Sequence, residues 1–161
     1  MEVSILRHGV AEKLRPGGSD AERVLTPKGR EKLRRVLRLA RAAAVRPSII
    51  LTSPLVRAVQ TAEVAAAILP HRREVVRTNA LLPTASPEEV WQELRSRKKE
   101  QELLLVGHEP LLSQLIGYLL GAPGLRVELK KAGLVRIQIE GFTPAPSGTL
   151  QWLLAPKLAR V

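Results

Sequence analysis

Apolar residues fall in short blocks along the chain, and their spacing changes from block to block. Positions 2–6 place Val3, Ile5 and Leu6 in a strand-like run that opens directly onto Arg7-His8-Gly9. Leu33, Val36, Leu37, Ala40 and Ala44 recur at steps of 3 and 4, which is one face of a helix. Thr26-Pro27 starts that helix with a capping hydroxyl and a proline at the first helical position, and Pro47 ends the segment. Residues 48–52 predict a buried strand. Ser53-Pro54 repeats the start chemistry for an Ala-rich helix that stops at Pro70. A third short strand is predicted over 74–76. Ser86, Pro87 and Glu89 fit a capping box opening a third helix, which ends in the charged run 95–100.

Residues 103–106 are continuously apolar, as in a parallel strand covered on both faces. A fourth helix is predicted over 110–120. Val135, Ile137 and Ile139 then alternate with Arg136, Gln138 and Glu140, a half-exposed strand to which residues 149–154 pair across a Pro/Gly-rich loop. Strands thus alternate with helices through residue 120. The predicted class is α/β: a single-domain three-layer sandwich over 1–161, with a mostly parallel central sheet, helices on both faces and an antiparallel C-terminal strand pair. The polar loop over 10–24 is long for a compact domain, and such loops are often functional.

Composition narrows the chemistry. The chain has no Cys, so a disulfide framework, a thiolate metal site and a Cys nucleophile are excluded. The N-terminus has no basic region ahead of an apolar stretch, and no run of about 18 apolar residues exists, so a cytoplasmic protein without a membrane partner is expected. Lys and Arg number 26 against 15 Asp and Glu, a net charge of +11. That excess suits an anionic partner, or reflects an Arg-, Ala- and Leu-rich, thermophile-like composition. Arg30, Arg34, Arg38 and Arg41 on one helix side offer a nucleic-acid surface, but a solvated face is preferred, and four aromatics are too few for a base-stacking platform.

Of the three histidines, His8 and His108 follow predicted buried strands directly, each beside a glycine. Ligands of open α/β sheets bind beyond the carboxyl ends of the strands. Arg57 lies early in the helix after the second strand, so three strand ends bring Arg7, His8, Arg57 and His108 toward one edge. His71, between Pro70 and Arg72-Arg73 in a polar turn, reads as a surface residue. A site of cations and donors suits a phosphoryl group: arginine forks its oxygens, and a neutral imidazole can carry it covalently. The helix start at Ser53-Pro54 adds backbone donors for an anion. No metal or other cofactor is implied, because Asp20 is the sole aspartate and no ligand spacing appears.

These residues resemble the histidine phosphatase superfamily, which includes phosphoglycerate mutase and the acid phosphatases. The matching segments are Leu6-Arg7-His8-Gly9, Leu25-Thr26-x-x-Gly29, Ser53-Pro54-x-x-Arg57-Ala58-x-Gln60-Thr61-Ala62 and Val106-Gly107-His108-Glu109-Pro110. Within it, the short length, the His-x-Pro form and the final strand pair resemble the SixA-type phosphohistidine phosphatases. The resemblance implies that His8 is the phosphorylated nucleophile. It implies that Arg7, Arg57 and His108 bind the phosphoryl oxygens, with a secondary substrate-binding role for Arg23. The implied substrate is a phosphorylated protein, or alternatively a small phosphate ester. One departure stands out. Larger members carry a carboxylate general acid after the third strand, whereas residues 78–85 contain none. Glu88 and Glu89 follow, and they read as helix-stabilising charges.

Overall fold

In the computed structural model, which describes residues 1–71 and 73–160, one mixed sheet carries helices on both faces. The chain runs β1 (Glu2–Arg7), α1 (Pro27–Ala42), β2 (Ile49–Thr52), α2 (Val56–Ile68), β3 (Val75–Arg77), α3 (Pro87–Ser96), β4 (Glu102–Gly107), α4 (Leu111–Leu119), β5 (Leu134–Ile139) and β6 (Gly148–Leu154). Single 3-10 turns lie at Asp20–Glu22, Asn79–Leu81 and Pro156–Leu158. The strand order is β3-β2-β4-β1-β5-β6. The first four strands in that order pair in parallel, and β5 and β6 join antiparallel. The α/β class and the antiparallel end pair agree with the sequence pattern. Among the described residues, no helix is long and apolar enough to cross a membrane.

The pleat sends successive strand residues to opposite faces. Val3, Ile5, Ile49, Leu51, Leu103 and Leu105 pack against α3 and α4. Leu6, Ile50, Leu104 and Val106 pack against α1 and α2. Each such aliphatic side chain contributes about 1.5–3 kcal/mol of burial free energy. This double coverage explains the unbroken apolar run in β4.

The chain leaves β1 through α1 toward β2, and leaves β4 through α4 toward β5. Adjacent strands β1 and β4 therefore feed helices on opposite faces and connections in opposite directions. That is the switch point at which open α/β sheets form their crevice.

Local start signals behave unequally. Thr26 caps α1, its hydroxyl accepting from Gly29 N at 2.9 Å. Ser86 and Glu89 form the expected reciprocal capping box of α3. Ser53-Pro54 does not cap α2, which begins at Val56 with no side-chain cap. The Ser53 hydroxyl is engaged elsewhere: it accepts from Leu55 N at 3.2 Å and meets His108 Nε2 at 2.8 Å. The apolar stripe of α1 also stops short of Ala44. That residue has φ 60 and is exposed, while Val45 N bonds Ala40 O at 3.0 Å to close the helix.

Candidate active site

The parallel register aligns Arg7 with Gly107, so the next residues, His8 and His108, emerge side by side. Their ring centroids are 5.0 Å apart at an interplanar angle of 52°. His8 is 5% and His108 2% exposed, so both rings are largely out of water. Arg57 is brought in by the first turn of α2, also buried at 4% exposure. Arg7 closes β1 and donates from Nη1 to Leu129 O at 2.8 Å. The four residues expected at one sheet edge thus come from strand ends or a helix start around one crevice.

Smaller side chains fix this frame. Gly9 N donates to Thr61 Oγ1 at 3.1 Å, and the Thr61 hydroxyl donates to Arg57 O at 2.7 Å. The loop after His8 is thereby tied to the turn that carries Arg57. Gln60 Oε1 accepts from Leu25 N at 2.8 Å, tying the chain before α1 to α2. At Gly29 a Cβ would lie 2.3 Å from Val10 O, so only glycine lets α1 approach the segment after His8.

The hydrogen bonds assign the His8 tautomer. Its Nδ1 lies 2.7 Å from Gly9 O, and a carbonyl only accepts, so Nδ1 carries the proton. Nε2 is left with its lone pair. Burial pushes the His8 pKa down to about 4; the Gly9 bond opposes this, and Arg57, Arg7 and Lys131 add to the depression. The ring is neutral and nucleophilic at neutral pH. Burial, followed by the charges of His8 and Arg57, lowers His108 to about 3. It too is a neutral ring. Its Nε2 meets Ser53 Oγ, and its buried Nδ1 has no hydrogen-bond partner among the described residues. Ser53 Oγ also accepts from Leu55 N, so one hydroxyl links the start of α2 to the His108 ring.

Asp20, which sequence reasoning treated only as the sole aspartate, lies against Arg57. Arg57 Nη2 donates to its Oδ2 at 3.2 Å and Nη1 to its carbonyl at 2.9 Å. Arg23 donates from Nε to Asp20 Oδ1 at 2.9 Å and from Nη1 to Glu12 O at 3.1 Å. Arg23 therefore bears on the site through Asp20. Burial raises the Asp20 carboxyl, but bonds and charges from Arg23 and Arg57 outweigh it and hold it below the usual range, so Asp20 is ionised. The signal for it was its place in the long loop, three positions before Arg23. Lys131 was missed as well, since nothing in its local pattern marks it.

The remaining candidates stand apart. Glu88 and Glu89 are exposed at the start of α3, with Glu89 occupied by the capping box. Glu109 accepts from Ser113 N at 3.0 Å inside the first turn of α4. His71 is half-buried beyond the far end of α2 from Arg57, its Nδ1 3.3 Å from Leu69 O; its neighbour Arg72 lies outside the described residues. Among the described residues, no three His, Cys, Asp or Glu cluster as metal ligands would.

A sequence profile of the histidine phosphatase superfamily (branch 1) matches residues 3–81. An uncharacterized protein of Picosynechococcus sp. is 34% identical over 140 residues, 86% of this chain and 85% of its own. Among solved structures, the protein histidine phosphatase SixA complexed with tungstate aligns with a TM-score of 0.89 at 24% identity, over 99% of this chain and 100% of that one. The alpha-ribazole phosphatase of Shigella flexneri aligns with a TM-score of 0.72 at 20% identity, over 97% of each. The chain belongs to the histidine phosphatase superfamily, branch 1. Its fold is SixA-like over nearly the whole chain.

Proposed function

We propose that the protein is a metal-independent phosphatase that works through a phosphohistidine on His8 and takes phosphohistidine on a protein as substrate. The observation that carries this reading is the His8 tautomer: Nδ1–H is held by Gly9 O, and Nε2 is free in a ring whose pKa is lowered to about 4. Nε2 attacks the phosphoryl group in line. A bond from phosphorus to Nε2 forms as the bond to the substrate's ring nitrogen breaks. Arg7, Arg57 and His108 take the charge on the equatorial oxygens, in keeping with phosphoryl transfer as positioning and electrostatics. His108 acts as a neutral donor rather than a cation. Water then breaks the P–Nε2 bond and phosphate leaves.

The substrate follows from the leaving group. An alkoxide departs poorly without an acid, and a positioned acid is worth about 10²–10⁴-fold. Residues 78–85 hold no carboxylate, and Asp20, bonded to Arg57, is ionised. A protonated phosphoimidazole leaves as a neutral ring and loses little by that lack. The likeness to SixA, a protein histidine phosphatase, supports the same substrate.

The test is phosphate release in EDTA from a histidine-phosphorylated protein and from a phosphomonoester panel, with His8→Ala alongside. Release from phosphohistidine, lost in the variant, is expected. A fully active His8→Ala protein overturns the mechanism. Preference for an ester keeps the nucleophile and overturns the substrate.

A further inference from the structure

Beside Arg7 lies a half-open cavity of about 490 Å³, large enough for a small side chain or ligand group. Lys32, Lys131 and Lys157 wall it together with Arg7, and Val10, Ala155 and Pro156 form its apolar part. The carboxylate on its wall, Glu128, is already paired with Lys130. Among the described residues, no ion pair reaches Lys32, Lys131 or Lys157. Such a wall repels itself. Lys131 is half-buried, and its ammonium is held below its ordinary range by burial and then by the charges of Arg7, Arg23 and Arg57. Lys131 also acts electrostatically on His8. The cavity is therefore coupled to the nucleophile's surroundings and shares Arg7 with them, but it lies outside the His8–His108 pair.

We propose that this cavity binds a second anionic group of the substrate, a carboxylate flanking the phosphohistidine on the protein partner, with Lys131 as its main contact. The inference rests on the proposed phosphohistidine substrate and adds what surrounds it: an acidic recognition sequence. A carboxylate there relieves the cation repulsion and gains charge-assisted hydrogen bonds in a half-desolvated setting. The aliphatic stems of the lysines and the apolar part of the wall suit an Asp or Glu side chain, whose methylenes bury as its head pairs.

The test compares two phosphohistidine peptides that differ only in the flanking residues, aspartates in one and asparagines in the other. The quantity read is the ratio of their kcat/KM values, so general damage to a variant cancels. The wild-type protein is expected to prefer the aspartate peptide by about tenfold, on the scale of a partly buried charge-assisted contact. Lys131→Ala removes most of that preference, and Lys131→Glu reverses it. A wild-type ratio near one, or a preference that survives Lys131→Glu, overturns the inference. If the protein hydrolyses phosphomonoesters but neither peptide, the phosphohistidine reading has failed by itself. The ratio for 4-carboxyphenyl phosphate over phenyl phosphate in the same variants then decides whether the second-anion site stands. Turnover of neither class overturns both.

Discussion

Asp20 occupies the guanidinium of Arg57 from two sides, accepting at 3.2 Å through its carboxylate and at 2.9 Å through its carbonyl. The Arg57 side chain is 5% exposed and that of Asp20 is 55% exposed. One partner is fixed in the crevice and the other sits on a loop at its mouth. These are the donors a phosphoryl group needs, so the carboxylate stands where an oxyanion competes for the same fork.

Removing the Asp20 carboxylate is therefore expected to strengthen oxyanion binding. Asp20→Ala should lower the inhibition constant for inorganic phosphate by about 2- to 5-fold, the scale of one partly exposed charge pair. Competitive inhibition measurements check it. Weaker inhibition would mean that Asp20 holds Arg57 in place for the ligand instead of competing with it.

Ser53 is expected to position His108. Its hydroxyl lies 2.8 Å from His108 Nε2, the one hydrogen bond that this ring makes among the described residues. In Ser53→Ala, Nε2 loses its partner, and an unmade buried hydrogen bond costs about 1–3 kcal/mol. A fall in kcat of roughly 10- to 100-fold is expected on that scale, with recovery in Ser53→Thr. Nitrogen-15 NMR of the histidine rings provides a readout that a merely structural defect does not imitate. The His108 ring-nitrogen shifts should change in the alanine variant and return in the threonine variant.

How far the site was readable depended on whether a residue's job is local. His8 and His108 were legible because a buried strand ends immediately before each, and the strand-end rule places them at one sheet edge. Arg57 was legible for the same reason, through the helix after β2. The cap at Ser86 was local and held. Ser53 carried an identical start signal, yet tertiary contact with His108 diverted its hydroxyl. Asp20 reaches Arg57 across 37 positions of sequence through a loop without periodicity, so no pattern predicts the pair. Lys131 follows β4 and α4 in a segment without regular structure, and only the folded strand β1 brings Arg7 beside it. Ala44 kept the helical spacing but took a left-handed φ of 60, which spacing does not encode.

The lowered histidines set the pH behaviour. His8 is neutral above about pH 4 in place of the ordinary 6.5, so the acid limb of kcat/KM assigned to the nucleophile should fall near pH 4. The unfolded chain binds protons on His8 and His108 below about 6.5, while the folded chain resists them down to about 4 and 3. The unfolded state thus holds more protons within that window. The associated stability is complete above pH 6.5 and is lost as the pH falls through it. The slope is up to about 1.4 kcal/mol per pH unit for each histidine. Urea unfolding on either side of the window measures it, and His8→Ala should roughly halve the slope.

Gly29 is expected to be the most sensitive small residue near the site. A Cβ there meets Val10 O at 2.3 Å and Thr26 Oγ1 at 3.0 Å, so backbone must move. Val10 O also accepts from Thr26 N at 2.9 Å, and Thr26 caps α1. Gly29→Ala therefore pushes apart the chain after His8 and the start of α1, strains the cap and shifts Gly9 against Leu25. Helix propensity alone favours alanine by about 1 kcal/mol, so the sign is decided by the clash. The expected net effect is destabilisation of roughly 1–3 kcal/mol, the range of overpacked sites, read as a lower urea midpoint with an unchanged m value. An unchanged or higher midpoint would show that the segment after His8 yields without cost, and would remove the close packing of α1 from the account of how His8 is held.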